Sequence, residues 1–135
     1  MMTVAFRLGS SRIHGIGIFA AELVRAGTIV WKFSPETDRE YTRAEVDALP
    51  EPERSKILSL VHSYISASSG KYVINLDDAK YFNHSPSSNV IDSDTEECCV
   101  AVRDIQEGEE LTIDYRKFPE ENPLNFDVVI DSHDL

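Results

Sequence analysis

Hydrophobic and polar positions alternate with a period of two along several short runs of this chain, and only the middle departs from that pattern. Val4, Phe6 and Leu8 alternate with Ala5 and Arg7, which predicts a strand ending at Gly9-Ser10-Ser11. A turn through Arg25-Ala26-Gly27 feeds the β-branched run Thr28-Ile29-Val30-Trp31-Lys32-Phe33, a second strand. That stretch is faintly echoed by Ile105-Gln106-Glu107-Gly108-Glu109-Glu110-Leu111, an echo too short and gapped to be a repeat. In Lys71–Leu76, Tyr72, Ile74 and Leu76 share a face, with Tyr72 expected in the core. Asn89-Val90-Ile91 and Cys98–Val102 flank an acidic loop, Asp92 to Glu97, and read as antiparallel partners with Cys98, Val100 and Val102 on one face. In a last strand Leu111, Ile113 and Tyr115 lie on one face, and Thr112 and Asp114 on the other.

Between Ser34 and Gly70 the period changes. Thr42-Arg43-Ala44-Glu45 has the form of a capping box, opening a short helix through Leu49 that Pro50 stops. Beyond Pro52, residues Ile57, Leu58, Leu60, Val61, Tyr64 and Ile65 follow helical spacing, which predicts a second helix with His62 on its solvated face. The expected class is mainly β with two short helices, arranged as several small hairpins rather than one broad sheet.

Composition narrows the function classes. At 135 residues, 41% hydrophobic and 27% charged, the chain is sized for one globular domain. Its net charge of -11 opposes binding to nucleic acid phosphates and favours basic partners. No apolar run reaches membrane-spanning length and no secretory signal is visible, so an intracellular, cytoplasmic location is expected. Cys98 and Cys99 are adjacent, a spacing that strains a disulfide, and both read as reduced thiols in small strand positions. Acidic neighbours argue against either being a catalytic thiol.

Three segments carry candidate chemistry. His14-Gly15-Ile16-Gly17-Ile18-Phe19-Ala20 places glycines two apart, allowing positive φ and close approach of bare backbone to a ligand. Ala79–Pro86 is an apolar approach that breaks into Asn83-His84-Ser85-Pro86, a turn beside buried structure. Gly108–Tyr115 ends in a phenol whose ring can sit in the core with its hydroxyl toward a cavity. Glu109 and Glu110 read as solvated turn and edge-strand charges, and His14 lacks partners at metal-ligand spacing.

In this order the three segments resemble the signatures of the SET-domain family of protein lysine methyltransferases: Gly-x-Gly-x-Phe-Ala, Asn-His-Ser and Glu-Glu-Leu-Thr-(apolar)-Asp-Tyr. The resemblance covers roughly Ser11 to Tyr115 and is strongest to minimal, stand-alone microbial or viral members. It implies a β-clip-like fold of small curved sheets with a knot-like crossing of the C-terminal segment. It also implies a SET domain over residues 1–118, a substrate-selecting helical insert at about 34–70, and an acidic flank over 119–135 packing back over the site. The implied activity is methyl transfer from S-adenosylmethionine to a lysine of a basic, histone-like or other lysine-rich protein. By the same resemblance Tyr115 is the catalytic tyrosine, and His14, Gly15, Ile16, Gly17, Asn83, His84 and Phe118 bind the cofactor. Many relatives carry a cysteine-rich zinc module after the tyrosine, whereas no cysteine follows Cys99 here. The alternatives are closure by Phe118 or Phe126 without metal, a lid from a partner, or an incomplete site. A catalytically inactive SET-like module that binds cofactor or basic peptide therefore stands as the second reading, and a homodimer is compatible with the apolar tail.

Overall fold

Among the described residues the chain forms ten strands and two helices, and both helices fall where the period changes. A computed structural model describes residues 1–59, 63–66 and 68–115. Strand β1 (Phe6–Ser10) turns back into β2 (Ile16–Ala20), antiparallel with Leu8 opposite Ile18. Strand β3 (Ile29–Lys32) lies at the far edge of the same curled sheet, paired with β9 (Cys98–Ala101). Strand β9 in turn pairs with β8 (Val90–Asp92), bearing out the antiparallel pair expected around the acidic loop. Strand β10 (Glu110–Ile113) joins the two halves, lying between β2 and β8, with the two-residue β7 (Asn83–His84) also paired to it.

A second, three-stranded sheet has the order β4 (Asp38–Tyr41), β6 (Tyr72–Asn75), β5 (Ser63–Ile65). Helix α1 (Arg43–Asp47) opens on the expected box, with the Thr42 hydroxyl accepting from the Glu45 amide and the Glu45 carboxylate from the Thr42 amide. Helix α2 spans Glu53–Ser59. The helical spacing that ran on through Tyr64 and Ile65 is overturned. Both residues belong to β5, paired with Val73 and Tyr72, and Ile65 is buried there. An apolar pair with i, i+1 spacing fits either period, and the ladder with β6 decided it. His62 lies outside the described residues.

The core joins Ile18, Ala20, Val24, Val30, Trp31, Val90, Ile105 and Leu111. Two face assignments fail at strand ends: Leu76 is 55% exposed and Val102 46% exposed, both just past the last ladder residue. Tyr72 is half-buried rather than core, while Val73 and Ile74 are both buried, because β6 is the central strand and is covered on both faces. Cys98 and Cys99 are buried free thiols, and burial pushes both thiol pKa values up.

The faint sequence echo has a structural counterpart. Val24 and Ile105 exchange two backbone hydrogen bonds, 2.9 Å and 2.8 Å long, bringing the two turns back to back. Gly27 donates to the Ala101 carbonyl at 2.7 Å, and Gly108 donates to the Ala20 carbonyl at 2.8 Å. Both glycines take positive φ, 84° and 86°, which an L side chain adopts only with strain. Among the described residues no helix is long and apolar enough to cross a membrane.

Candidate active site

Strand β10 changes partners halfway along its length. Its first residues pair antiparallel with β2, Glu110 opposite Phe19 and Leu111 opposite Ile18. Its last residues run parallel to β7, Thr112 opposite Asn83 and Ile113 opposite His84, and Ile113 also faces Val90 of β8. Where no strand covers the switch, a side chain does: the Asn89 amide donates to the Glu110 carbonyl at 2.8 Å and accepts from the Thr112 amide at 2.9 Å. Asn89 is only 2% exposed, so these bonds replace a missing stretch of backbone ladder in a place without water. Asp114, expected on the face opposite Leu111 and Ile113, is buried together with them and Thr112, because β10 is enclosed on both faces.

The Asn-His-Ser turn reaches the glycine turn through one amide. Asn83 Nδ2 lies 3.0 Å from the His14 carbonyl, 3.1 Å from the Ile16 carbonyl and 2.8 Å from Glu110 Oε1, two protons shared among three acceptors. The 3-10 turn Asp78–Tyr81, capped by the Asp77 carboxylate on the Ala79 amide, delivers the chain into this position. Next to it, buried His84 accepts the Tyr115 amide proton on Nδ1 at 3.1 Å. Asp114 Oδ1 approaches the same nitrogen at 3.6 Å, both side chains being buried. The His84 and Tyr115 rings pack at 5.4 Å between centroids, tilted by 49°.

Tyr115 donates its hydroxyl proton to the Phe82 carbonyl. Burial first, and the negative charge of Glu110 second, push its pKa up to about 12. The phenol therefore keeps its proton over the whole neutral range and offers the site an oxygen acceptor, not a base.

The two glycines of the first motif serve different ends. Gly15 takes φ 48° and has nothing within 4 Å of where a Cβ would stand, so it provides backbone shape beside open space. Gly17 has ordinary φ, but a Cβ there would lie 2.0 Å from Glu110 Oε1. Ile16 between them is 48% exposed, an apolar side chain presented on a turn whose His14 and Gly15 are exposed as well.

The structure thus brings together Tyr115, Asn83, His84 and the backbone of His14 through Gly17, while Phe118 and Phe126 lie outside the described residues. The expectation that Glu109 and Glu110 are merely solvated fails for Glu110, which is half-buried and bonded to Ser11 and Asn83. Glu109 remains at the surface, paired with Arg103 at 3.1 Å. Ser11, Asn89 and Glu110 escaped the sequence argument because their contacts cross between segments far apart in the chain, where neither periodicity nor local turn chemistry carries a signal. Among the described residues no group of three or more His, Cys, Asp or Glu is placed to hold a metal ion.

Comparison with known proteins addresses the family and the fold. The family model described as the SET domain matches residues 15–116. The histone-lysine N-methyltransferase trr of Drosophila melanogaster is 27% identical over 146 residues, covering 95% of this chain but 5% of that protein. Among solved structures, a Plasmodium falciparum protein assigned as a histone methyltransferase superposes with a TM-score of 0.57 at 18% identity, over 84% of this chain and 95% of that one. An apo ctPRC2 structure with two substitutions in Ezh2 gives 0.62 at 23% identity, over 87% of this chain and 16% of the other. At these identities the two structures speak for the fold alone. The matched stretch runs from the glycine turn through Asn83-His84 and β10 to just beyond Tyr115, most of the chain, and the chain belongs to the SET-domain family.

Proposed function

We propose that this protein is a protein-lysine N-methyltransferase that moves a methyl group from S-adenosylmethionine to a lysine amine of a basic protein or peptide. The observation that carries this reading is the joining of the His14–Ile16 carbonyls, Asn83 and Tyr115 by the change of partner along β10. The cofactor, when bound, supplies an electrophilic methyl on a positively charged sulfur. The residues fit such a group: the open space at Gly15, the exposed Ile16 and the carbonyls of the turn suit a ligand with apolar and cationic parts.

The chain's own residues have three tasks. The turn carbonyls and Asn83 orient the ligand; holding reacting atoms in line can contribute roughly 7–11 kcal/mol in favourable cases. The Tyr115 oxygen, with its proton engaged by Phe82, faces the reacting centre as an acceptor and helps align the amine. Since Tyr115 stays protonated to about pH 12, the substrate lysine (ordinary pKa about 10.4) loses its proton through desolvation and water rather than to this residue. His84 holds the Tyr115 backbone and packs against its ring, a positioning role. The net charge of -11 supports a basic, lysine-rich target. Residues 1–118 form the SET unit in this reading, the stretch 34–70 its substrate-selecting insert, and 119–135 a flank that closes the lysine end, with Phe118 against the cofactor.

Calorimetry with S-adenosylmethionine followed by a labelled-methyl assay on histones and other lysine-rich proteins tests the proposal. We expect cofactor binding, label on lysine, and a fall in kcat on the order of 100-fold for Tyr115→Phe. A folded protein that binds neither millimolar cofactor nor label would remove the enzymatic reading. Cofactor or peptide binding without turnover would establish the inactive module instead.

A further inference from the structure

Glu110 sits on the first residue of β10, and its two carboxylate oxygens have different partners. Oε2 accepts the Ser11 hydroxyl at 2.9 Å, and Oε1 accepts the Asn83 amide at 2.8 Å. Each partner in turn grips the glycine turn. Ser11 Oγ accepts from the amides of Ile13 at 2.9 Å and His14 at 3.3 Å, while Asn83 donates to the carbonyls of His14 and Ile16. The carboxylate lies flat over Gly17, where a Cβ would come within 2.0 Å of Oε1, 2.8 Å of Cδ and 3.1 Å of the Ser11 Cβ. A negatively charged acceptor makes the stronger kind of hydrogen bond, and partial burial protects it from water.

We propose that Glu110 is a positioning residue, a two-armed brace that sets the turn from Ile13 to Ile16 by holding Ser11 on one side and Asn83 on the other. Gly17 is part of the same device, because only a residue without Cβ lets the carboxylate lie across the strand. The brace exists in the free protein; its effect on the cofactor rests on the function proposed above. The sequence already holds the counterpart: a glycine two residues after Gly15 that has no need of positive φ. Its requirement is space, and Glu110 occupies that space.

The test reads the turn with and without cofactor. Backbone amide exchange of the free protein is followed at Ile13 and His14, with Trp31 and Cys99 in the distant β3–β9 ladder as internal controls. In Glu110→Ala, protection at Ile13 and His14 should fall roughly tenfold or more while the controls hold, and cofactor binding should weaken about 10- to 100-fold, in KM rather than kcat. Gly17→Ala should reproduce both effects by displacing the carboxylate, and Glu110→Ala added to it should cost little more. Should Glu110→Ala fail to fold, Glu110→Gln keeps the size but replaces one acceptor oxygen by a donor, and it must still loosen Ile13 and His14 selectively. Unchanged exchange at those two amides, a loss shared equally by Trp31 and Cys99, or full additivity of the two substitutions would overturn the brace. Failure of the wild type to bind cofactor would remove the enzymatic reading and leave the exchange result to decide the brace.

Discussion

The turn at Gly27 leading into β3 and the turn at Gly108 leading into β10 are nearly the same object placed twice. Each begins at a buried residue, Val24 or Ile105, that bonds to the other, and each glycine donates to the end of the strand preceding the opposite turn. After the turns the two strands diverge. Strand β3 is the last named strand of its sheet, paired with β9 on one side and bridged by Met1–Thr3 on the other, and closes a region of packing around Trp31. Strand β10 runs between β2, β7 and β8, takes two bonds from the Asn89 side chain, and delivers Tyr115 against Phe82 and His84. Similar local chemistry thus yields the last strand of a sheet in one place and the spine of the site in the other. The difference lies in the neighbours: one strand met a single strand and the first three residues of the chain, and the other met three strands plus a buried amide.

Removing that amide should erase the contrast most fully. Asn89→Ala leaves the Glu110 carbonyl and the Thr112 amide buried without their partner, and should cost about 3 kcal/mol in denaturant unfolding. No side chain makes a corresponding pair of bonds to β3 among the described hydrogen bonds, so no substitution there should act the same way.

A pH scan sharpens the comparison at the end of β10. The Tyr115 phenol has a folded pKa of about 12 against about 10 in the unfolded chain, so between those values the folded protein holds a proton that the unfolded chain has lost. Its contribution is therefore intact below about pH 10 and declines as the pH rises toward 12. The stability advantage of the wild type over Tyr115→Phe should shrink through that window; a constant difference would contradict the assignment.

The paired glycines offer a matched test. Gly27→Ala and Gly108→Ala both force a side chain into positive φ with open space around it, and each should cost roughly 1–2 kcal/mol, nearly equally. Only Gly108→Ala should also lower methyl transfer, because only its strand feeds the site. The smallest effect belongs to helix α1, away from both turns. Thr42→Ala removes the capping box of α1 and should cost about 1 kcal/mol in stability, with cofactor affinity unchanged.

Much of this molecule was legible before any coordinates. Alternation and turn glycines determined a mainly β chain, the capping box at Thr42 located the first helix, and three ordered motifs gave the family. Local rules worked wherever the deciding contact was local. They failed at Tyr64 and Ile65, where a ladder with β6 overrode a helical spacing, and at Leu76 and Val102, where the face pattern outran the strand.

The site itself was only half written in the sequence. Types and order of Gly15, Gly17, Asn83, His84 and Tyr115 are properties of the chain, and they suffice to name the family. Only the tertiary structure decided that Gly17 is needed for room rather than for φ, that Asn89 completes a strand, and that Glu110 is tied to Ser11 instead of solvent. The physical reason is the same in each case. Periodicity reports which face of an element meets the core, but a buried hydrogen bond joins two particular atoms whose separation along the chain carries no pattern.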